Sequence, residues 1–151
     1  MRGFLRCCAA LALMSMAFAS SGFAADGKPH RIAIQVDQND PQVMNLALNN
    51  VSNIIEYYRS KNEDVDIDVV TYGPGLHMLR ADTSPVQDRI KRLKDMVFPG
   101  KIQFSACNNT KQAMEKREGH SITIIPQATI VPAGVVRIMQ LQEQGYSYVK
   151  P

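Results

Sequence analysis

The sequence predicts an α/β fold: a three-layer α/β/α sandwich built on a mainly parallel five-stranded sheet. Three observations carry this. Short runs rich in β-branched residues alternate with stretches whose apolar residues recur every three or four positions, the two periods of strand and helix. Capping or turn residues punctuate the junctions, with Asp40-Pro41, Gly73-Pro74-Gly75, Asn108-Asn109 and Pro132-Ala133-Gly134 as the clearest. The strand–helix alternation repeats until a final strand closes the chain, an order that requires parallel strands joined by crossovers on the sheet faces.

Arg31 to Val36 reads as a buried strand. Asp40 is a good N-cap and Pro41 suits the first helical position, since proline lacks an N–H that would have no partner there. Met44, Ala47, Leu48, Val51, Ile54, Ile55 and Tyr58 then mark one face of a helix reaching about Arg59. Arg59 and Lys61 complement its negative end. In the next strand, Val65, Ile67 and Val69 alternate with Asp66 and Asp68. That alternation predicts a strand with one wet face, running on to Tyr72. Gly73-Pro74-Gly75 breaks it, and Leu76 to Arg80 forms a short helical turn.

Ser84-Pro85-Val86-Gln87 has the form of a capping box with proline at the first position. Val86, Ile90, Leu93 and Val97 continue one face, and Arg89, Lys91, Arg92 and Lys94 form a solvated remainder. Pro99-Gly100 stops this helix, and Ile102 to Ala106 is the third strand. Cys107 follows, and Asn108-Asn109-Thr110 opens a helix to about Glu118, with Gly119 just past its end. Ser121 to Ile125 is extended but interrupted by Pro126, so Ala128 to Val131 is the better fourth strand. Pro132-Ala133-Gly134 opens a last helix with Val135, Val136, Ile138, Met139 and Leu141 inside; Gly145 closes it, and Tyr146 to Val149 is the fifth strand.

The N-terminus reads as a targeting segment. Arg2 and Arg6 precede an apolar run from Cys7 to Ala19, and Gly22 and Ala24 are the small residues expected before a cleavage site. The run is shorter than the roughly 20 residues that span a bilayer. Residues 1–24 are therefore expected to be a cleaved signal peptide and residues 25–151 a single domain. Of the 17 Lys and Arg, Arg2 and Arg6 leave with the leader, against 14 Asp and Glu, for a mature net charge of about +1. So mild a charge argues against nucleic acid or an anionic membrane as partner.

Of three cysteines, Cys7 and Cys8 lie in the leader and only Cys107 remains. Exported proteins use cysteines in pairs; a lone one is a reactive thiol, an intermolecular link, or a small buried hydrophobe. Its position favours the first. Ligands of open α/β sheets bind outside the carboxyl ends of the strands. Gln38-Asn39-Asp40, Tyr72 to Gly75, Cys107 to Asn109 and Pro132 to Gly134 should gather there. Cys107 also opens a helix, whose free N–H groups and dipole favour a thiolate. No C-x-x-C pair, Gly-x-Ser-x-Gly elbow or phosphate-binding loop is present. His30, His77 and His120 are scattered, so neither a metal nor a cofactor is expected.

Tyr72-Gly73-Pro74-Gly75-Leu76, Phe104 to Thr110, and Ile130 to Val136 leading into Leu141 to Tyr148 together resemble the DsrE/DsrF-like (YchN-like) family, in its exported branch. The resemblance implies homo- or hetero-oligomers, commonly dimers, trimers or hexamers. It also implies sulfur carried as a persulfide on a cysteine between the third strand and its helix, the place of Cys107. The expectation is a periplasmic persulfide carrier exchanging sulfur with a donor or acceptor protein. Cys107 would be the nucleophile, the N–H groups of Asn108 and Asn109 would stabilise its anion, and Tyr72, Gly73, Gly75, His77 and Asn39 would line the pocket. A non-catalytic small-ligand module and a purely structural oligomer stay open beside it.

Overall fold

The computed structural model describes residues 27–96 and 100–151. The leader assigned to residues 1–24, together with Val97 and Pro99 near the second helix, lies outside the described residues. Five strands, β1 (His30–Val36), β2 (Val65–Thr71), β3 (Gly100–Cys107), β4 (Thr129–Val131) and β5 (Ser147–Val149), alternate with helices α1 (Pro41–Ser60), α2 (Gln87–Asp95), α3 (Asn108–Glu118) and α4 (Gly134–Glu143). A 3-10 turn spans Gly73–Leu79 between β2 and α2. The strands form one sheet in the order β4-β3-β2-β1-β5. All four pairings are parallel, as the alternating order predicts.

The strand order decides where each helix goes. The first three crossovers each step one strand in the same direction. Right-handed connections then place α1, α2 and α3 on one face. The fourth jumps from β4 at one edge to β5 at the other, so α4 lands on the opposite face. The two cores match this. Ile34, Val69 and Phe104 pack with Met44, Leu48, Ile90 and Met114 from the first three helices. Ala33 and Val70 pack on Ile138 and Leu141 of α4.

Local signals govern most element ends. Asp40 caps α1 by accepting the Gln42 N–H at 2.7 Å, with Pro41 at the first position. Gly119 takes φ 76° beyond α3, the left-handed turn that glycine adopts without a Cβ penalty. Between the two rival extended stretches, Thr129–Val131 joins the sheet as β4. Ile124 makes only an isolated antiparallel bridge with Arg80. Proline has no N–H to give a ladder, and Pro126 separates the two stretches.

Four expectations are corrected. Asp68 is not on a wet face: it is 2% exposed, accepting from Ser105 Oγ at 2.7 Å and from Arg137 Nε and Nη2 at 2.9 and 2.7 Å. The alternation is real, but the second face is covered by α4, whose Arg137 supplies the partner. Ser84 caps only the turn ahead of α2: its hydroxyl accepts the Val86 N–H at 3.3 Å and donates to the Met78 carbonyl, while regular α2 starts at Gln87 with Val86 as its N-cap and no side-chain cap bond. Ile54 and Tyr58 of α1 are only partly buried. Val135, Val136 and Met139 lie outside the core, at 56%, 46% and 55% exposure, because among the described residues α4 is the one helix on its face and nothing packs on its outer side.

Arg80 locks the 3-10 turn to α3. Its side chain is 2% exposed and forks to Asp82 and Glu118. Hydrogen bonds from Arg80, reinforced by its charge, hold Asp82 down at about 2.

Candidate functional site

Because α3 and α4 lie on opposite faces while their strands β3 and β4 are neighbours, the carboxyl ends of these two strands part into a crevice. This is the switch point at which open α/β sheets bind ligands. Cys107, the last residue of β3, stands in it beside Val131 of β4. Successive strand residues alternate faces, so Cys107 shares the α4 side with Ser105, and Ala106 and Phe104 point to the larger core.

Cys107 is also the N-cap of α3. Its sulfur accepts the Thr110 N–H at 3.4 Å. Burial alone pushes the thiol up. The Thr110 hydroxyl and the N–H groups of Gly134, Thr110 and Asn109 outweigh it, and the net effect holds the thiol below its ordinary value. An N-cap side chain reaches the second and third N–H groups of its helix. The third, on Thr110, is bonded to the sulfur, and the second, on Asn109, goes to the Pro132 carbonyl at 3.2 Å, while Asn108, whose half-buried side chain begins α3, supplies neither. The sulfur-bearing residue is 4% exposed.

The expected pocket residues divide between the two sides. Asn39, Gly73, His77 and Asn109 line an open pocket of about 400 Å³ with Thr110 and Arg117, on the α3 side. Tyr72 faces the other way: its ring packs on the α4 core and lies so close to Gly134 that a Cβ there would sit 2.9 Å from its Cδ1. Gly75 is a buried structural glycine. A Cβ on it would stand 2.1 Å from the Val36 carbonyl oxygen, so the Gly-Pro-Gly loop can close on β1 only without a side chain. The His77 ring is bonded through Nδ1 to Thr83 Oγ1 at 2.8 Å. Burial, then the Arg80 charge, pushes it below the usual histidine value, so it is a neutral pocket wall at pH 7.

Thr110 joins the two sides and was not singled out from the sequence. Its N–H serves Cys107 and its Oγ1 accepts the Gly73 N–H at 3.0 Å. Its N–H role followed from the N-cap position of Cys107, but its hydroxyl partner Gly73 is 37 residues away, so that half had no local signal. The role of Gly134 had no local signal, because it depends on where β4 and α4 come to rest. Among the described residues no group of three or more His, Cys, Asp or Glu is placed to hold a metal ion. No described helix is long and apolar enough to cross a membrane.

The fold and site together are those of a small parallel α/β/α sandwich with a cysteine capping the helix after its third strand. The chain belongs to the DsrE/DsrF-like family, whose profile matches residues 14–151. Among solved structures it is similar to a protein of unknown function, MTH1491, from Methanobacterium thermoautotrophicum. The two are 28% identical with a TM-score of 0.67, over 81% of this chain and 99% of that one. No curated protein matches.

Proposed function

We propose that this protein handles sulfur through Cys107, accepting a sulfane sulfur as a persulfide and passing it on. The observation that carries the reading is the place of Cys107 as the N-cap of α3 at the end of β3, where its sulfur accepts the Thr110 N–H, and the thiol is held below its ordinary value there. A thiolate stabilised in this way is a nucleophile near neutral pH. It attacks the terminal sulfur of a persulfide or polysulfide donor. The new bond joins Cys107 Sγ to that sulfur, the donor's S–S bond breaks, and its electron pair leaves on the donor as a thiolate. Nothing is oxidised or reduced overall, and the reverse step hands the sulfur to an acceptor thiolate. The family's association with sulfur relay supports this reading. The small exposure of Cys107 restricts donors to those that present sulfur on a slim group.

The test is alkylation of Cys107 across pH, read by intact mass before and after polysulfide. The expected result is a thiol pKa well below the free value of about 8.5 and a sulfur-mass adduct that disappears in Cys107→Ser. Equal sulfur loading of wild type and Cys107→Ser would refute it. Export to the periplasm belongs to the same proposal. It is supported by the Arg2–Ala24 pattern and tested by the N-terminal sequence of protein recovered from that compartment. Self-association is favoured by the bare Val135, Val136 and Met139 on the outer side of α4. Apolar surface of this kind marks contact sites, and sedimentation of the mature protein tests it.

A further inference from the structure

One of the buried ionic networks lies beneath the thiol on the α4 side of the sheet: Asp68, Ser105 and Arg137. Asp68 lies on β2, accepting from Ser105 Oγ through one carboxylate oxygen and from both Arg137 Nε and Nη2 through the other. Three donors and no proton to give is the arrangement of an ionised carboxylate. Burial pushes this group above the usual carboxylate range against the pull of Ser105 and Arg137, so a purely stabilising purpose is a weak explanation.

Its position suggests another. Ser105 is two residues before Cys107 on the same strand and the same face. Arg137 is in the first turn of α4, its own N–H bonded to the Ala133 carbonyl at 2.9 Å. Ile138 and Leu141 seat the middle of α4 on Ala33 and Val70, so the ion pair acts at the helix entry. There Asn109 N–H meets the Pro132 carbonyl at 3.2 Å, and Gly134 backs onto the Tyr72 ring. The outward residues Val135, Val136 and Met139 are exposed. We propose that Asp68 and Arg137 are positioning residues for Cys107: their forked ion pair clamps the first turn of α4, and with it the Pro132 carbonyl that holds the Asn109 N–H at the start of the cysteine helix. This rests on the thiolate reading above.

β2 and its end bring Asp68 and Tyr72 to this side, and α4 brings Arg137. The β3, β4 and α3 neighbours Ser105, Val131, Asn109 and Thr110 do not titrate. Tyr146, after α4, lies in the field of Asp66 and Arg31 as well as of the ion pair, and Asp37, Tyr148 and Lys150 act on Tyr72. The signs of the two effects of Asp68 on the thiol are opposite, which makes a sign test available. Taking away the Asp68 charge directly would lower the thiol pKa, because a nearby anion opposes a thiolate. Releasing α4 would raise it.

The experiment is the pH profile of Cys107 alkylation in wild type, Asp68→Val, Arg137→Met and Arg137→Lys, with each fold checked by circular dichroism. Valine suits a buried strand position, and Arg137, partly exposed, is replaceable without opening the core. The expected result is a thiol pKa raised by about half to one unit in Asp68→Val and Arg137→Met, a roughly three- to tenfold loss of alkylation rate at pH 6. Arg137→Lys should recover part of it. A low wild-type pKa with Asp68→Val unchanged or lower overturns the positioning role alone. A wild-type thiol already at the free value overturns the thiolate reading itself, and the positioning role with it.

Discussion

Thr110→Val is the most informative single change, because one side chain ties the Gly-Pro-Gly loop to the cysteine helix. Valine keeps the shape of threonine and removes only the hydroxyl. Two things are lost. The Gly73 N–H loses the acceptor it now has at 3.0 Å, and the thiol loses the Thr110 hydroxyl that helps hold it down. A lost hydrogen bond costs about 0.5–1.5 kcal/mol, rising to about 1–3 where the orphaned donor is sealed from water. Gly73 is half-buried, so water reaches it in part, and the expected cost is about 1 kcal/mol, or roughly 4 °C in melting temperature for a domain of this size. Urea unfolding should show a lower midpoint at unchanged slope. The alkylation profile should move toward the free-thiol value. Thr110→Ser, which keeps the hydroxyl, should restore both. If the valine variant matches wild type in both assays, the link between loop and cysteine is not energetic and the reasoning fails. If only stability falls, the hydroxyl serves the loop and not the thiol.

Other predictions follow the same contacts. Gly75→Ala would force a Cβ against the Val36 carbonyl and should cost about 3 kcal/mol; Gly27→Ala, which meets nothing, should leave the urea midpoint in place. Arg80→Met should cost about 2 kcal/mol, less than the 3–5 of an orphaned buried charge, because the carboxylates left behind reach water. Asp82 lies near 2 in the fold, so its contribution is present above the unfolded value of about 3.9 and is lost as pH falls toward 2; acid titration of Arg80→Met should lack that limb. The folded thiol is likewise depressed, so its stabilisation is fully present above about pH 8.5 and vanishes as pH falls through the folded value. The stability gap between wild type and Cys107→Ser should therefore widen from pH 6 to pH 9. A Val135→Glu/Met139→Lys double variant should sediment as a smaller species than wild type, with its fold intact.

The thiol site works through one residue of α3: Thr110 meets the sulfur with its N–H and its side chain helps hold the thiol down. Side-chain motifs are accordingly sparse around Cys107, and the scattered histidines take no direct part: His77 is occupied with Thr83 and His30 stacks on Tyr58.

What the sequence determined by itself was whatever depends on neighbours in the chain. The period of apolar residues placed β1, α1, β2 and β3, and the Asn108-Asn109-Thr110 opening placed α3. Asp40-Pro41 and Gly119 marked helix ends through local geometry, and the βαβ order required parallel strands. The cysteine at a strand-to-helix junction was legible for the same reason. What only tertiary structure decided depends on which strand lies beside which. The jump from β4 across to β5 sends α4 alone to the second face. That single step turns Asp68 from an expected surface residue into a buried ion pair. It leaves Val135 and Met139 bare, parts Tyr72 from the pocket that holds His77, and brings a second helix N-terminus to Cys107. Alternation along a strand tells which residues share a face. It cannot tell what covers that face, because the cover comes from a segment about seventy residues away whose position is set by crossover handedness and strand order.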